Sequence, residues 1–176
     1  MQFLNPLRTT WHITFGTYGT RLHYGSRPTV DIHHNRFGEL FLPSDRERQS
    51  FIREHMNFRS RYLTDEQQAF IEELLPVLCD RGGWDYRIGS ARADHVHLLC
   101  DVDPEIQGER VRRLVKRWLT QALCRVWPLL PGERWWAVEG SNKAVKEHQY
   151  LNNCYGYILR QRATPIAVAD ASEIGV

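Results

Sequence analysis

No stretch of the sequence approaches the roughly 18 uncharged apolar residues that a spanning helix needs, which excludes a membrane-spanning chain. Residues 1–8 lack the extended apolar run of a secretory signal, so a cytoplasmic protein with no membrane partner is expected. Cysteine is scarce and scattered: Cys79, Cys100, Cys124 and Cys154 lie far apart with no C-x-x-C pair. That spacing excludes a zinc ribbon and argues against a disulfide framework, leaving each thiol to pack as a small hydrophobe. There is no internal repeat and no low-complexity segment. An excess of charge is also missing, since 23 Lys+Arg against 21 Asp+Glu leave only +2. Bulk charge therefore says nothing of a polyanionic partner, and the location of the positive charges matters more. What is present is a chain of 176 residues, 42% hydrophobic and 25% charged, enough for one globular domain with a real core over 1–176.

Residues 11–18 alternate large apolar with smaller or polar side chains and predict a strand. Residues 19–43 hold Gly25, Pro28, Gly38 and Pro43 and predict an extended loop with a hairpin, 29–33 against 39–42. Two capping boxes follow, Ser44 with Glu47 and Thr64 with Gln67, each opening a helix. The second helix carries Phe70, Leu74 or Leu75, and Leu78 on one stripe and stops at Gly82 and Gly83. Residues 84–91 and 95–102 predict strands joined by a tight connection at 92–94. A helix over 110–127 is ended by Pro128 and Pro131, and a last helix over 144–162, capped by Ser141 or Asn142, ends before Pro165. Strands and helices mix without regular alternation. The fold class that results is α+β, an antiparallel sheet sandwiched by helices, with a longer loop and helical insertion at about 19–63.

Three local patterns bear on chemistry. In His95-Val96-His97-Leu98-Leu99, strand alternation sends His95 and His97 to one face and Val96 and Leu98 to the other. Two imidazoles on one face form a bidentate platform for a divalent metal, although the dipeptide spacing alone favours the plainer reading of two polar members of a half-exposed strand. Adjacent His33 and His34 would point apart. On the last helix Tyr157 and Gln161 are four residues apart and share a face. Tyr155 lies roughly 160° away from Tyr157, on a core-facing stripe with Leu151 and Ile158. Gly156, which costs about 1 kcal/mol inside a helix, leaves room for a backbone or ligand beside Tyr157. Between these elements residues 110–125 carry six positive charges and no acid. With Val111, Leu114 or Val115, Trp118, Ala122 and Val126 as the buried stripe, Arg112, Arg113, Lys116 and Arg117 are expected to face solvent, an unbalanced face suited to a polyanion.

These residues resemble the HUH single-tyrosine transposases, the insertion-sequence-200-like or REP-associated family. Asp94-His95-Val96-His97-Leu98-Leu99 is similar to the family's D/N-H-V-H-L-L strand. Leu114-Val115-Lys116-Arg117-Trp118 is similar to its lysine-bearing helix, and Tyr157-Ile158-Leu159-Arg160-Gln161 to its Y-[IV]-x-x-Q helix. Trp11-His12-Ile13-Thr14-Phe15 with Thr17-Tyr18-Gly19 resembles the first strand of one branch, as does Trp136 followed by Gly140-Ser141. Ala93 departs from the family's usual proline, and the segment after the first strand is longer than in minimal members.

The resemblance implies a ferredoxin- or RRM-like fold and a metal-dependent single-stranded DNA endonuclease and strand transferase. Tyr157 would be the nucleophile, and His95, His97 and Gln161 would ligate one divalent metal, Mg or Mn. Lys116 would contact phosphate or the active site, with Arg112, Arg113 and Arg117 tracking the DNA backbone. Hairpin-containing single-stranded DNA and a homodimer, in which the tyrosine helix of one subunit completes the histidine site of the other, are the implied partners. Trp135 and Trp136 are candidates for stacking unpaired bases, with burial of at least one as the alternative. Arg21, His23 and Arg27 are candidates for touching a DNA hairpin, against a plain solvated loop. A domesticated, non-cleaving regulator of the same fold and a relaxase or replication-initiator nickase are the competing functions. Gln161 argues against the latter.

Overall fold

A computed structural model describes residues 1–20 and 46–163. Its elements run β1 (Thr9–Gly16), α1 (Arg46–Glu54), α2 (Asp65–Gly82), β2 (Asp85–Arg92), β3 (His95–Val102), α3 (Gly108–Val126), β4 (Ser141–Val145) and α4 (His148–Leu159). The four strands form one sheet in the order β2-β3-β1-β4, and every neighbouring pair is antiparallel. Set α1 and α4 aside and the order is that of a split β-α-β-β-α-β unit, the ferredoxin-like arrangement.

Alternation along the strands divides the interior in two. Ile13 and Phe15 of β1 and Val96, Leu98, Cys100 and Val102 of β3 face α2 and α3, meeting Ile71, Leu75, Leu78, Val111, Val115, Leu119 and Leu123. The opposite face carries Ile88, Leu99 and Val145, covered by Leu151, Cys154 and Ile158 of α4. The sheet is thus sandwiched by helices, as its α+β patterning predicts. All four cysteines are free thiols, and Cys79, Cys100 and Cys154 are buried.

Several boundaries follow the sequence closely. β3 spans the predicted residues, and α2 opens on a complete capping box: Thr64 Oγ1 accepts from Gln67 N at 3.3 Å while Gln67 Oε1 accepts from Thr64 N at 3.1 Å. Gly83 closes α2 in the left-handed region at a φ of 69°, where a side chain would be strained. The predicted hairpin, the Ser44 cap and Arg21, His23 and Arg27 lie outside the described residues.

Two expectations are corrected. Residues 141–145 are an edge strand rather than the start of the last helix, and α4 begins only at His148, after an N-cap residue, Glu147, whose side chain makes no capping bond. Their backbone pairs with β1 from Thr10 to Thr14, and that ladder overrides a weak local preference for helix. Second, the buried stripe of α3 is Val111, Val115, Leu119 and Leu123, while Val126 is exposed. A strict four-residue step rotates the helix relative to the predicted stripe and carries Arg112 to the edge of the core, where it is 8% exposed.

The Thr64 cap supplies a direct test of the helix account. Thr64→Ala is expected to lower stability by about 1 kcal/mol in urea unfolding, with the midpoint shifting and the slope unchanged.

Candidate active site

β3 and α4 supply the four side chains of interest. His95 and His97 project from the sheet face that α4 covers, with ring centroids 4.8 Å apart and planes at 86°. Tyr157 stands edge-on to His97 at 5.5 Å and is 44% exposed. Gln161, in the turn just beyond α4, brings Oε1 to 3.1 Å from His95 Nε2. The structure therefore brings His95, His97, Tyr157 and Gln161 together within one chain. Tyr155 turns the other way and packs against the small core under α4.

Further polar groups hold each imidazole from behind. Asp94 Oδ1 lies 2.5 Å from His95 Nδ1. His97 Nδ1 lies 2.9 Å from Thr14 Oγ1 and 3.1 Å from His12 Nε2. Thr14 pairs directly with His97 across the β1–β3 ladder, so both point to the same face, and His12 follows two residues away. Because Nδ1 of each ring is engaged, ligation falls to Nε2, the usual division of labour at metal sites. Sequence reading passed over these supports. An Asp directly before the first histidine, and a His and a Thr in alternation on β1, were the available signals.

The donor set suits a cation. His95 Nδ1 faces Asp94 Oδ1 and its Nε2 faces Gln161 Oε1, a pairing that an N–H donated to the amide oxygen or a cation shared by both atoms would satisfy. Among the described residues no group of three or more His, Cys, Asp and Glu side chains is arranged to hold a metal, so the candidate set is two imidazoles and one amide.

What holds Gln161 in place lies one and two residues further on. Glu72, buried in α2, accepts from Ala163 N at 2.8 Å and from Ala91 N at 3.0 Å, and its other oxygen is 3.6 Å from the Arg162 guanidinium. Arg162 also donates to Gly89 O at 2.7 Å. The chain after α4 is thereby tied to β2 and α2. A carboxylate beside Ile71, on the core-facing side of α2, was the sequence signal for this anchor.

His12 has an unusual environment. Burial, with a smaller contribution from the Lys143 charge, lowers its pKa from 6.5 to about 4, so it is neutral at pH 7 beside His97. Tyr150 Oη, 3.5 Å from Nδ1, closes its other side.

The basic helix departs from expectation. Arg112, Arg113, Lys116 and Arg117 do not all face solvent. Arg113 and Arg117 do, and together with Arg110 they line an open pocket of about 370 Å³ on α3. Arg112 instead donates to Gly140 O, and Lys116 Nζ donates to Ala137 O at 2.6 Å and Val138 O at 2.9 Å. Burial and the Arg112 charge lower the Lys116 pKa to about 8. Both inward cations pin the segment leading into β4. There Gly140 lies so near β1 that a Cβ would fall 2.5 Å from Thr14 O. Trp135 and Trp136 are both buried, and Trp136 Nε1 donates to Thr120 Oγ1 at 3.0 Å and Lys116 O at 3.1 Å, which removes them as base-stacking platforms.

Two outcomes follow from these supports. Glu72→Ala leaves two backbone donors without this acceptor and removes the carboxylate facing Arg162, and is expected to cost about 2–4 kcal/mol in urea unfolding. For His12, the unfolded chain binds more protons than the folded one between pH 6.5 and about 4, so stability falls as pH drops through that window. Thermal melts of wild type and His12→Gln from pH 7 to 4 are expected to show a steeper acid loss in wild type, by up to one proton; parallel curves would contradict the assignment.

No protein-family model and no curated protein matches the sequence. Among solved structures, the chain is similar to a putative transposase from Deinococcus radiodurans R1, with 16% identity and a TM-score of 0.51. The match covers 93% of this chain and 100% of that one. At that identity the likeness establishes a common fold, and that fold is the split β-α-β-β-α-β sheet with its helices.

Proposed function

We propose that the protein is a divalent-metal-dependent endonuclease and strand transferase for single-stranded DNA, a transposase working through a 5′-phosphotyrosine. The observation that carries this reading is the convergence of two imidazoles, an amide and a half-exposed phenol from β3 and the end of α4. The fold likeness to a protein described as a transposase supports it further.

A cation held by His95, His97 and Gln161, Mg or Mn, would neutralise charge on the non-bridging phosphate oxygens as a Lewis acid. Tyr157 Oη gives up its proton and attacks phosphorus. The bond to the 3′ oxygen breaks, and its electron pair with a proton goes to the departing 3′-hydroxyl. One phosphoester bond replaces another, so the released end can reverse the step onto a different 5′ end without ATP. Asp94 and the Thr14–His12 pair keep the imidazoles in ligating orientation. A neutral His12 adds no positive charge of its own behind His97.

Arg113 and Arg117 are the residues we assign to the DNA backbone, since a one-sign exposed face favours a polyanion. Arg112 and Lys116 act in this reading by positioning β4 beside β1. The tyrosine helix meets the histidines of its own chain here, which supports a reading in which a homodimer pairs two DNA ends.

The test is incubation of labelled, hairpin-containing single-stranded DNA with the protein and Mn²⁺, followed by a denaturing gel. A covalent adduct is expected that disappears in Tyr157→Phe and with chelator and persists in Tyr155→Phe. An adduct surviving Tyr157→Phe, or salt-sensitive binding with no adduct on any hairpin substrate, would overturn the cleavage reading; the latter result is that of a regulator.

A further inference from the structure

Beside Tyr157 an open cleft of about 740 Å³ is bounded by Arg92, Asp94, His95, Arg160 and Gln161. Asp65, Gln68 and Ala93 complete its lining, and its two cations, Arg92 and Arg160, are exposed and have no part in the centre described above. Arg92 pairs with His95 across the β2–β3 ladder, so it shares the face of that imidazole. Arg160 immediately precedes Gln161. Each cation therefore adjoins one of the presumed ligating residues, and Tyr157 opens on the same cleft.

Among the described residues their charges are not used elsewhere. Arg8, Arg61, Arg87, Arg112 and Arg162 each meet a carboxylate, whereas among the described residues neither Arg92 nor Arg160 does. A guanidinium left exposed in a cleft presents a planar fork to phosphate oxygens.

Gly156 adds an independent observation. It sits in the middle of α4, where glycine is unfavourable, one turn before Arg160 on the same face. A Cβ there would meet only Arg160 Nη1, at 3.5 Å, an ordinary contact. Packing within the protein thus does not demand glycine. The bare backbone leaves a notch beside the Arg160 guanidinium, next in sequence to the cleft residue Tyr157 though not itself part of the cleft lining.

We propose that Arg92, Arg160 and the notch at Gly156 form a seat for a backbone phosphate of single-stranded DNA next to the one that Tyr157 attacks. The inference rests on the single-stranded DNA reading and deepens it. The seat would grip the strand through its charge, independent of base identity, and fix the register of the scissile bond relative to Tyr157.

The experiment uses the full chain carrying Tyr157→Phe, so that binding is read without turnover, and a fluorescent oligodeoxythymidylate as probe. Arg92→Met and Arg160→Met are each expected to weaken binding about 5–10-fold at low salt and to reduce the slope of log K against log salt by about 0.7. Arg134→Met, at an exposed arginine away from the cleft residues, is the control for general loss of charge. Gly156→Ala is expected to raise the melting temperature and yet weaken binding several-fold, a combination that a purely structural role does not produce. Affinities and slopes in Arg92→Met and Arg160→Met equal to the control, or unchanged binding in Gly156→Ala, would overturn the seat. Weakened binding in these variants without adduct formation in the otherwise wild-type chain would uphold the seat and refute cleavage. Normal adduct yield with unaltered binding would do the reverse.

Discussion

The site depends on one anchor, the buried Glu72 carboxylate that ties the end of the described chain to the sheet. Its oxygens accept from Ala163 N and Ala91 N and face the Arg162 guanidinium. Without that tie, the end of α4 would rest on the small core of Leu151, Cys154 and Ile158 and on the Arg162 bonds to β2. Gln161 sits directly before the anchored residues, and Tyr157 one turn earlier. A modest displacement there would separate the amide from His95, because hydrogen-bond and coordination distances tolerate only a few tenths of an ångström. The anchor also holds the end of α4 against its own sheet. Arg162 and Ala163 bind α2 and β2 of the same subunit that carries the histidines.

The polar face of the sheet is organised by charge economy. Asp101, 3% exposed, takes two bonds from Arg87 and one from Thr10 at its far end. At the histidine end the supports are the Asp94 carboxyl and a neutral His12, with Lys143 facing His12 across the β1–β4 ladder. Positive charge is kept for the open cleft, in Arg92 and Arg160, and for the outer face of α3, in Arg113 and Arg117. That distribution suits a reaction in which a phosphodiester must approach from solvent.

Much of this was legible in the residues. Strand alternation alone puts His95 and His97 on one face, and helical spacing puts Tyr157 with Gln161 and sends Tyr155 to the core. The capping box at Thr64 and the stop at Gly83 fix α2 by local chemistry. Long-range pairing was less accessible. Ser141-Asn142-Lys143-Ala144-Val145 has no strong strand signature and becomes β4 only because β1 offers an unpaired edge. On α3, two stripes were compatible with the apolar residues, and the sheet selects the one that draws Arg112 and Lys116 inward. Glu72 and His12 looked like ordinary polar residues until the contacts across the sheet gave each a partner.

The account turns on whether His95 Nε2 and Gln161 Oε1 face one another across a cation. Electron paramagnetic resonance titration of the DNA-free protein with Mn²⁺ measures this without any knowledge of the DNA target. One ion bound per chain is predicted, with affinity reduced at least tenfold in Gln161→Ala and in His97→Ala. Absence of saturable Mn²⁺ binding, or binding unaffected by both substitutions, would contradict it.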